Sequence, residues 1–257
     1  MLNLSGIKKT YNRGDVTRMC LFDGFDLSVK DGEFVSIVGS NGSGKTSLLN
    51  IICGDIPVEE GEIRIDGEVV NKLPSFRRYQ KIGRVYQNPA MGTCAQLTIL
   101  ENMALADNKG KPYGLSFAIN RSRTEFYRDS LRILGLGLED KLDLPVGSLS
   151  GGQRQAVALV MATLTPIDFL ILDEHTAALD PKTADIIMEL TDRVVHEKKL
   201  TAMMVTHNLR YAVEYGSRLV MLDKGQIVLD KSGEEKANMR VDDILHIFNA
   251  ISIECGN

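Results

Sequence analysis

The chain has no tryptophan, so no site in it is built on an indole, and its four cysteines are too scattered to define a site either. Cys20, Cys53, Cys94 and Cys255 form no CxxC pair. Neither zinc ligation nor a disulfide framework is expected, and the four are read as reduced thiols in the core or at the surface. Long hydrophobic runs are missing too. The longest apolar stretch, Ala156 to Leu164, falls well short of the ~20 residues a bilayer-spanning helix needs. Met1-Leu2-Asn3-Leu4-Ser5-Gly6 lacks a basic region ahead of an apolar core, so no signal peptide is expected and the chain should stay in the cytoplasm. A net charge of −4 gives no reason to expect a nucleic-acid partner. Repeats, low-complexity tracts and separating linkers are absent. What remains is 257 residues, 44% hydrophobic and 25% charged, which suits one large α/β domain or one domain with an inserted subdomain.

Periodicity places the elements. Leu2, Leu4 and Ile7 alternate like a half-buried strand, as do Phe25, Leu27 and Val29. Phe34 to Val38 is a short apolar run that reads as a buried parallel strand, with a helix from Thr46 to Ile52 after it. Glu62 to Val70, with Asp66-Gly67 at its centre, has the composition of a hairpin. Ile82 to Tyr86 is a further strand, ending at Gln87. From about Leu97 to Leu164 the pattern turns helical, most clearly over Arg123 to Leu134, where Phe126, Ser130, Ile133 and Leu134 fall near one face. Phe169 to Leu172 and Thr201 to Val205 return to buried strands. Between them Asp180-Pro181 opens a helix that runs to about Lys198, since Asp caps the first amides and Pro suits the first helical position. Arg218 to Asp230 reads as a hairpin about Asp223-Lys224-Gly225-Gln226, and Val241 to Ile251 as a closing helix.

Two segments in this frame carry chemistry. Gly39-Ser40-Asn41-Gly42-Ser43-Gly44-Lys45-Thr46 matches G-x-x-x-x-G-K-[ST] in full, between a strand and a helix. Its glycines let successive N–H groups face inward around phosphates, and the helix N-terminus adds partial positive charge. Lys45 is expected to bind β- and γ-phosphate oxygens and the Thr46 hydroxyl to ligate Mg²⁺. The second segment, Phe169 to Glu174, is four apolar residues followed by two acids, which a buried strand delivers at its C-terminal edge. Asp173 is suited to hold Mg²⁺ through water. Glu174, next along an alternating strand, points elsewhere and is suited to polarise an attacking water. On these segments alone, kinases, GTPases and helicases all stay open.

A third segment narrows the choice. In Leu149-Ser150-Gly151-Gly152-Gln153, Ser150 is an N-cap candidate for the run Arg154 to Leu164, and the two glycines leave backbone amides open to an anion. With these three segments in this order, the chain resembles the ATP-binding subunit of an ABC transporter from Leu2 to about Asp230. The resemblance implies a P-loop NTPase core of the α/β class with a mostly parallel sheet, an N-terminal antiparallel β subdomain and a helical subdomain inserted at about residues 90–165. Together they make one ABC-type domain over residues 1–257. It implies that Tyr11 stacks on adenine, that Ser47 extends the phosphate loop's contacts, and that Gln87 senses Mg²⁺ and the attacking water. It further implies that Ala178-Leu179-Asp180 crosses a dimer interface and that His207 is the switch histidine at the γ-phosphate. The family commonly has Pro after the glutamate. Here it is His175, read as a solvated neutral imidazole, in a Glu-His-Thr-Ala-Ala-Leu-Asp run similar to that of subunits linked to tryptophan or tyrosine uptake.

The same resemblance implies ATP and Mg²⁺ as cofactors and a head-to-tail dimer, each ATP lying between one chain's phosphate loop and the other's Ser150 to Gln153. A separate integral membrane permease is implied, docked near Gln87 and the segment Asn88 to Gln96. So is an extracellular or periplasmic solute-binding protein, with the chain at the cytoplasmic face of the membrane and import favoured. The alternative is a non-transport ABC ATPase acting on DNA or ribosomes. The chain has neither the long heptad run of chromosome-maintenance members nor room for the two cores usual in translation-factor members.

Overall fold

The computed structural model describes residues 2–12, 14, 17–112 and 119–254, with side chains to residue 250. Cys255, and residues 113–118 of the expected helical arm, lie outside them. In chain order the elements are β1 (Leu2–Tyr11), β2 (Met19–Val29), β3 (Phe34–Gly39), α1 (Lys45–Cys53), β4 (Glu60–Ile65), β5 (Glu68–Val69), α2 (Ser75–Arg78) and β6 (Ile82–Val85). Then come α3 (Ile99–Asp107), α4 (Thr124–Arg132), α5 (Gly151–Ala162), β7 (Phe169–Asp173), α6 (Pro181–Glu197) and β8 (Thr201–Val205). The chain closes with α7 (Leu209–Glu214), β9 (Arg218–Asp223), β10 (Gln226–Ser232), α8 (Gly233–Ala237) and α9 (Val241–Glu254). They fall into two compact units, one of Met1–Ser75 with Lys199–Asn257 and one of Phe76–Lys198.

The first unit holds an antiparallel sheet in the order β2-β1-β4-β5. It also holds β3 between β8 and β9, parallel to both, with β10 antiparallel to β9. Every residue of β3 is buried, which is why that segment reads as a continuous apolar run and not an alternating one. The amphipathic β1 and β2 alternate because one face is solvated.

In the second unit β6 and β7 pair in parallel, Ile82 opposite Phe169 and Val85 opposite Leu172. Beside them α3 to α6 share a core that includes Met103, Tyr127, Leu131, Val157 and Ile187. Each side chain of this kind, taken fully from water, contributes about 2 kcal/mol. The buried face of α4 matches the expected one at Leu134 only. Tyr127, Leu131 and Leu134 are buried, whereas Phe126 is exposed and Ser130 only half-buried. The Tyr127 hydroxyl donates to Asp107 at 3.0 Å, and Arg123 grips the same carboxylate through two nitrogens at 2.9 and 2.7 Å. Burial would raise the Asp107 carboxyl, but these two partners hold it below its ordinary value. The Arg123 guanidinium also stacks on Phe126, 4.1 Å from the ring centroid, so a phenyl ring can sit outside the core without being bare. Among the described residues no helix is long and apolar enough to cross a membrane.

Candidate functional site

The expected site residues fall in two sets, one in each unit. In the first unit the carboxyl end of β3 runs into Ser40, Asn41, Gly42, Ser43 and Gly44, and α1 begins at Lys45. Gly44 is the N-cap, in the left-handed region at φ 106°, and no side chain caps the helix. The first turn carries no acidic residue either. Other helices are closed: α3 by Thr98, α5 by Ser150 and α6 by Asp180, each through a side-chain oxygen. A helix N-terminus with open amides and no carboxylate is a site for an anion.

The loop is braced from behind. Ser40 Oγ donates to Asp223 Oδ1 at 3.2 Å, and the Gly225 N–H in the β9–β10 turn donates to the Ser43 carbonyl at 3.0 Å. Lys45 is buried, and its Nζ donates to the Gly39 and Ser40 carbonyls at 2.8 and 2.9 Å. Ser43 Oγ is buried and has no hydrogen-bond partner among the described residues. An unmet buried hydroxyl costs about 1–3 kcal/mol, and a phosphate oxygen is the partner this loop is shaped to admit. The residues thus fit a polyphosphate. Tyr11, at the end of β1, donates through its hydroxyl to Ser47 Oγ at 3.1 Å, which ties the ring to α1. The Lys9 ammonium lies 5.2 Å from its ring centroid. Thr46 is exposed on the first turn of α1. His207 is also exposed, between the buried end of β8 and Asn208, whose side chain caps α7.

In the second unit β6 leads to Gln87, which is exposed, while the carbonyl of Tyr86 accepts from Gln155 Nε2 on α5 at 3.0 Å. Strand β7 ends at Asp173. Sequence reasoning missed the partner of that carboxylate. Arg84 Nη2 donates to Asp173 Oδ2 at 2.7 Å, with the two side chains 6% and 13% exposed. A lone arginine inside a four-residue apolar strand was the available signal, because a charge there needs a counter-charge. The donor set expected for Mg²⁺ is one carboxylate, one hydroxyl and one amide oxygen, from Asp173, Thr46 and Gln87. These are hard oxygens, few in number, as suits an ion that keeps waters and phosphate oxygens as its other ligands. Among the described residues no cluster of three or more His, Cys, Asp or Glu competes for that role.

Glu174 is not the next rung of an alternating strand. It sits beyond β7 at φ 47°, in the left-handed region, and its carbonyl accepts from Ala177 N–H at 2.9 Å. Strand alternation therefore does not set the direction of its side chain, because the chain has already left the strand. His175 is not solvated. It is 2% exposed, and its Nε2 lies 3.0 Å from Thr191 Oγ1 on α6. The Thr191 hydroxyl donates its proton to the Ile187 carbonyl at 2.7 Å, so it accepts from His175, and the imidazole carries its proton on Nε2. Burial pushes the imidazole down to about 4. The unfolded chain therefore takes up a proton, below its ordinary value of 6.5, that the folded chain refuses until about 4. The stability this residue confers is present above 6.5 and is lost as pH falls through that window. The expected loss at this site is about 2 kcal/mol between about pH 7 and about pH 5. Urea denaturation at both pH values should show that increment in the wild type and not in His175→Asn.

Helix α5 opens with a capping box. Ser150 Oγ accepts from Gln153 N–H at 3.2 Å, and Gln153 Oε1 accepts from Ser150 N–H at 3.1 Å. The Ser150 oxygen is engaged as an acceptor, which leaves its proton to give to an anion. Gly151 is exposed and Gly152 buried. A Cβ on Gly152 would fall 2.2 Å from Thr183 Cγ2, so the first turn of α6 also requires glycine there. Asp180 Oδ1 accepts from Thr183 N–H at 3.1 Å, and its hydrogen bonds to Thr183 hold its carboxyl below the ordinary value.

The family model described as ABC transporter matches residues 22–177. The tyrosine transport ATP-binding protein of Clostridioides difficile (strain R20291) is 45% identical over 96% of this chain and 98% of its own length. The thiamine import ATP-binding protein ThiQ of Histophilus somni (strain 129Pt) is 35% identical over 79% of this chain and 89% of its own. Among solved structures, a dimeric post-hydrolysis state of the ATP-binding cassette MJ0796 bound to ADP and Pi superposes with a TM-score of 0.75. It is 32% identical and covers 90% of this chain and 98% of that one.

Proposed function

The chain belongs to the ABC transporter family, as an ATP-hydrolysing subunit that energises transport, and from that premise we propose that it works as one half of a two-chain ATP sandwich on a separate membrane permease. The observation that carries this reading is the contrast between helix starts. The amides of α1 are open behind a buried lysine, as a bound polyphosphate requires, whereas α5 presents Ser150 and Gly151 outward on a finished cap. One is suited to hold a nucleotide and the other to close over a nucleotide held by another copy. The dimeric cassette among the structural relatives supports the same arrangement.

In this reading Gly39 to Ser47 grip the phosphates, Tyr11 stacks on the base, and Lys45 moves from its loop carbonyls to the β- and γ-phosphates. Mg²⁺, held through Thr46, Gln87 and Asp173, supplies charge neutralisation at the phosphates. Glu174 orients and deprotonates the attacking water, and His207 contacts the γ-phosphate. Ser150, Gly151, Gly152 and Gln153 act on the partner copy's nucleotide. Loss of the γ-phosphate removes the contacts that hold the dimer shut, and the permease feels that change.

The permease is proposed to dock near Gln87 to Gln96. A cavity of about 730 Å³ opens there in the second unit, lined in part by Phe76, Arg77, Tyr86, Pro89 and Lys109. Phe76 in its lining and Met91 within the proposed docking segment are large apolar side chains left exposed. The helical subdomain is taken as residues 90–165, the chain as one ABC-type domain at the cytoplasmic face, and an extracellular or periplasmic solute-binding protein as part of the system. The relative named for tyrosine transport supports an aromatic amino acid as solute, and the relative named for thiamine import supports import as the direction. Purification of the chain from its membranes should bring down a polytopic protein, and cells lacking that complex should lose uptake of labelled tyrosine. Co-purification with ribosomes or DNA instead would overturn the assignment.

A further inference from the structure

We propose that Arg84 is a positioning residue for Asp173, a built-in counter-ion that stops this carboxylate from holding a divalent ion until a nucleotide supplies phosphates. The proposal rests on the reading of Asp173 as the Mg²⁺-ordering acid. Arg84 lies on β6 directly across from Ile171, and its guanidinium reaches one step further to Asp173 Oδ2 at 2.7 Å. Oδ1 is the carboxylate's second oxygen, and a single-pronged contact leaves it for other partners. The arginine is held in place around its charge. Its guanidinium carbon is 4.7 Å from the Tyr86 ring centroid, and Nη1 is 3.4 Å from the Tyr79 hydroxyl. The two tyrosine hydroxyls lie 3.5 Å apart. With so little exposure, solvent screens the pair weakly.

The consequence is electrostatic. One positive charge fixed on Oδ2 cancels most of the attraction Asp173 offers to a second cation, and it repels a divalent ion approaching Oδ1. Bound phosphates restore the negative charge the ion needs, so metal and nucleotide arrive together. The same contact fixes the carboxylate's rotamer from the strand that leads into Gln87. Any shift of that strand is therefore felt at Asp173.

The test uses Mn²⁺ as the probe, counted by its free-ion paramagnetic resonance signal. It is titrated into the full chain without nucleotide and with a non-hydrolysable ATP analogue. The wild type should bind Mn²⁺ at least tenfold more weakly without the analogue than with it. Arg84→Met should abolish most of that difference by tightening the nucleotide-free affinity. Arg84→Lys, which keeps a cation on the same strand, should retain wild-type behaviour. Should Arg84→Met fail to fold, Arg84→Gln gives the same reading, with melting curves as the control for folding. Equal affinities in the wild type with and without the analogue would overturn the proposal, as would a neutral variant whose nucleotide-free affinity is unchanged or weaker. Asp173→Asn separates the two layers. If it leaves Mn²⁺ binding with the analogue intact, the assignment of Asp173 itself fails. If it abolishes that binding while the neutral variants at Arg84 change nothing, only the counter-ion role fails.

Discussion

Glu174→Gln is expected to bind ATP as the wild type does and to lower steady-state hydrolysis by about 100-fold or more, the scale of a lost general base. Phosphoryl transfer asks the protein chiefly to place groups and stabilise charge, so one group that polarises the water has a large share of the effect. The substitution removes that basicity and keeps the shape. Glu174 occupies the left-handed region at φ 47°, a conformation that costs a non-glycine residue about 1–3 kcal/mol. Its neighbours hold it there: Ala177 N–H bonds to its carbonyl, and His175 is anchored to Thr191. Gln meets the same backbone requirement, so a loss of turnover would be chemical and not a loss of fold. With hydrolysis stopped, the proposed sandwich has no step by which to open. Light scattering should show the mass doubling on addition of ATP and persisting, whereas the wild type returns to monomer as ATP is consumed. Turnover within a few-fold of wild type would take Glu174 out of the mechanism.

How far the fold was legible depended on how local its cause was. The caps at Ser150 and Asp180 and the hairpins at Asp66-Gly67 and Lys224-Gly225 are set by residues within three or four positions of each other, and each is where the sequence puts it. The buried strands β3, β7 and β8 were legible because a strand covered on both faces has nothing but apolar positions. Three of the misses depend on a partner distant in sequence. The face of α4 turned on Asp107, which draws Tyr127 inward and, through Arg123, keeps Phe126 outside. His175 reads as an exposed loop residue until Thr191, on the following helix, supplies its acceptor. Arg84 and Asp173 are far apart in sequence, and only the parallel pairing of β6 with β7 makes them neighbours. Glu174 was assigned a direction from strand alternation, and the strand stops one residue before it. For the candidate site, motifs supply the residues proposed to matter, and distant contacts fix how they are held.

Ser150→Arg in the Glu174→Gln background should bind ATP with unchanged affinity and fail to form the ATP-dependent dimer. The argument begins with what the substitution leaves alone. The hydrogen bonds of the phosphate loop, Lys45 and Tyr11 do not involve Ser150, whose side-chain oxygen is engaged with Gln153 N–H, so the substitution removes none of them. What it changes is the start of α5. Losing the serine oxygen unties Gln153 N–H and costs about 1 kcal/mol of helix capping, too little to unfold the chain. The arginine then covers the outward amides of the first turn with a long cationic side chain, where the sandwich places the partner's γ-phosphate. Ser150→Ala is the control, because it removes the cap and the hydroxyl without adding bulk. It should weaken the dimer while leaving it detectable, so the difference between the two variants measures obstruction separately from capping. Sedimentation at matched ATP saturation distinguishes them. A double variant that still doubles its mass with ATP would mean that the surface at Ser150 does not close over a nucleotide. In that case the two helix starts would serve one chain and not two.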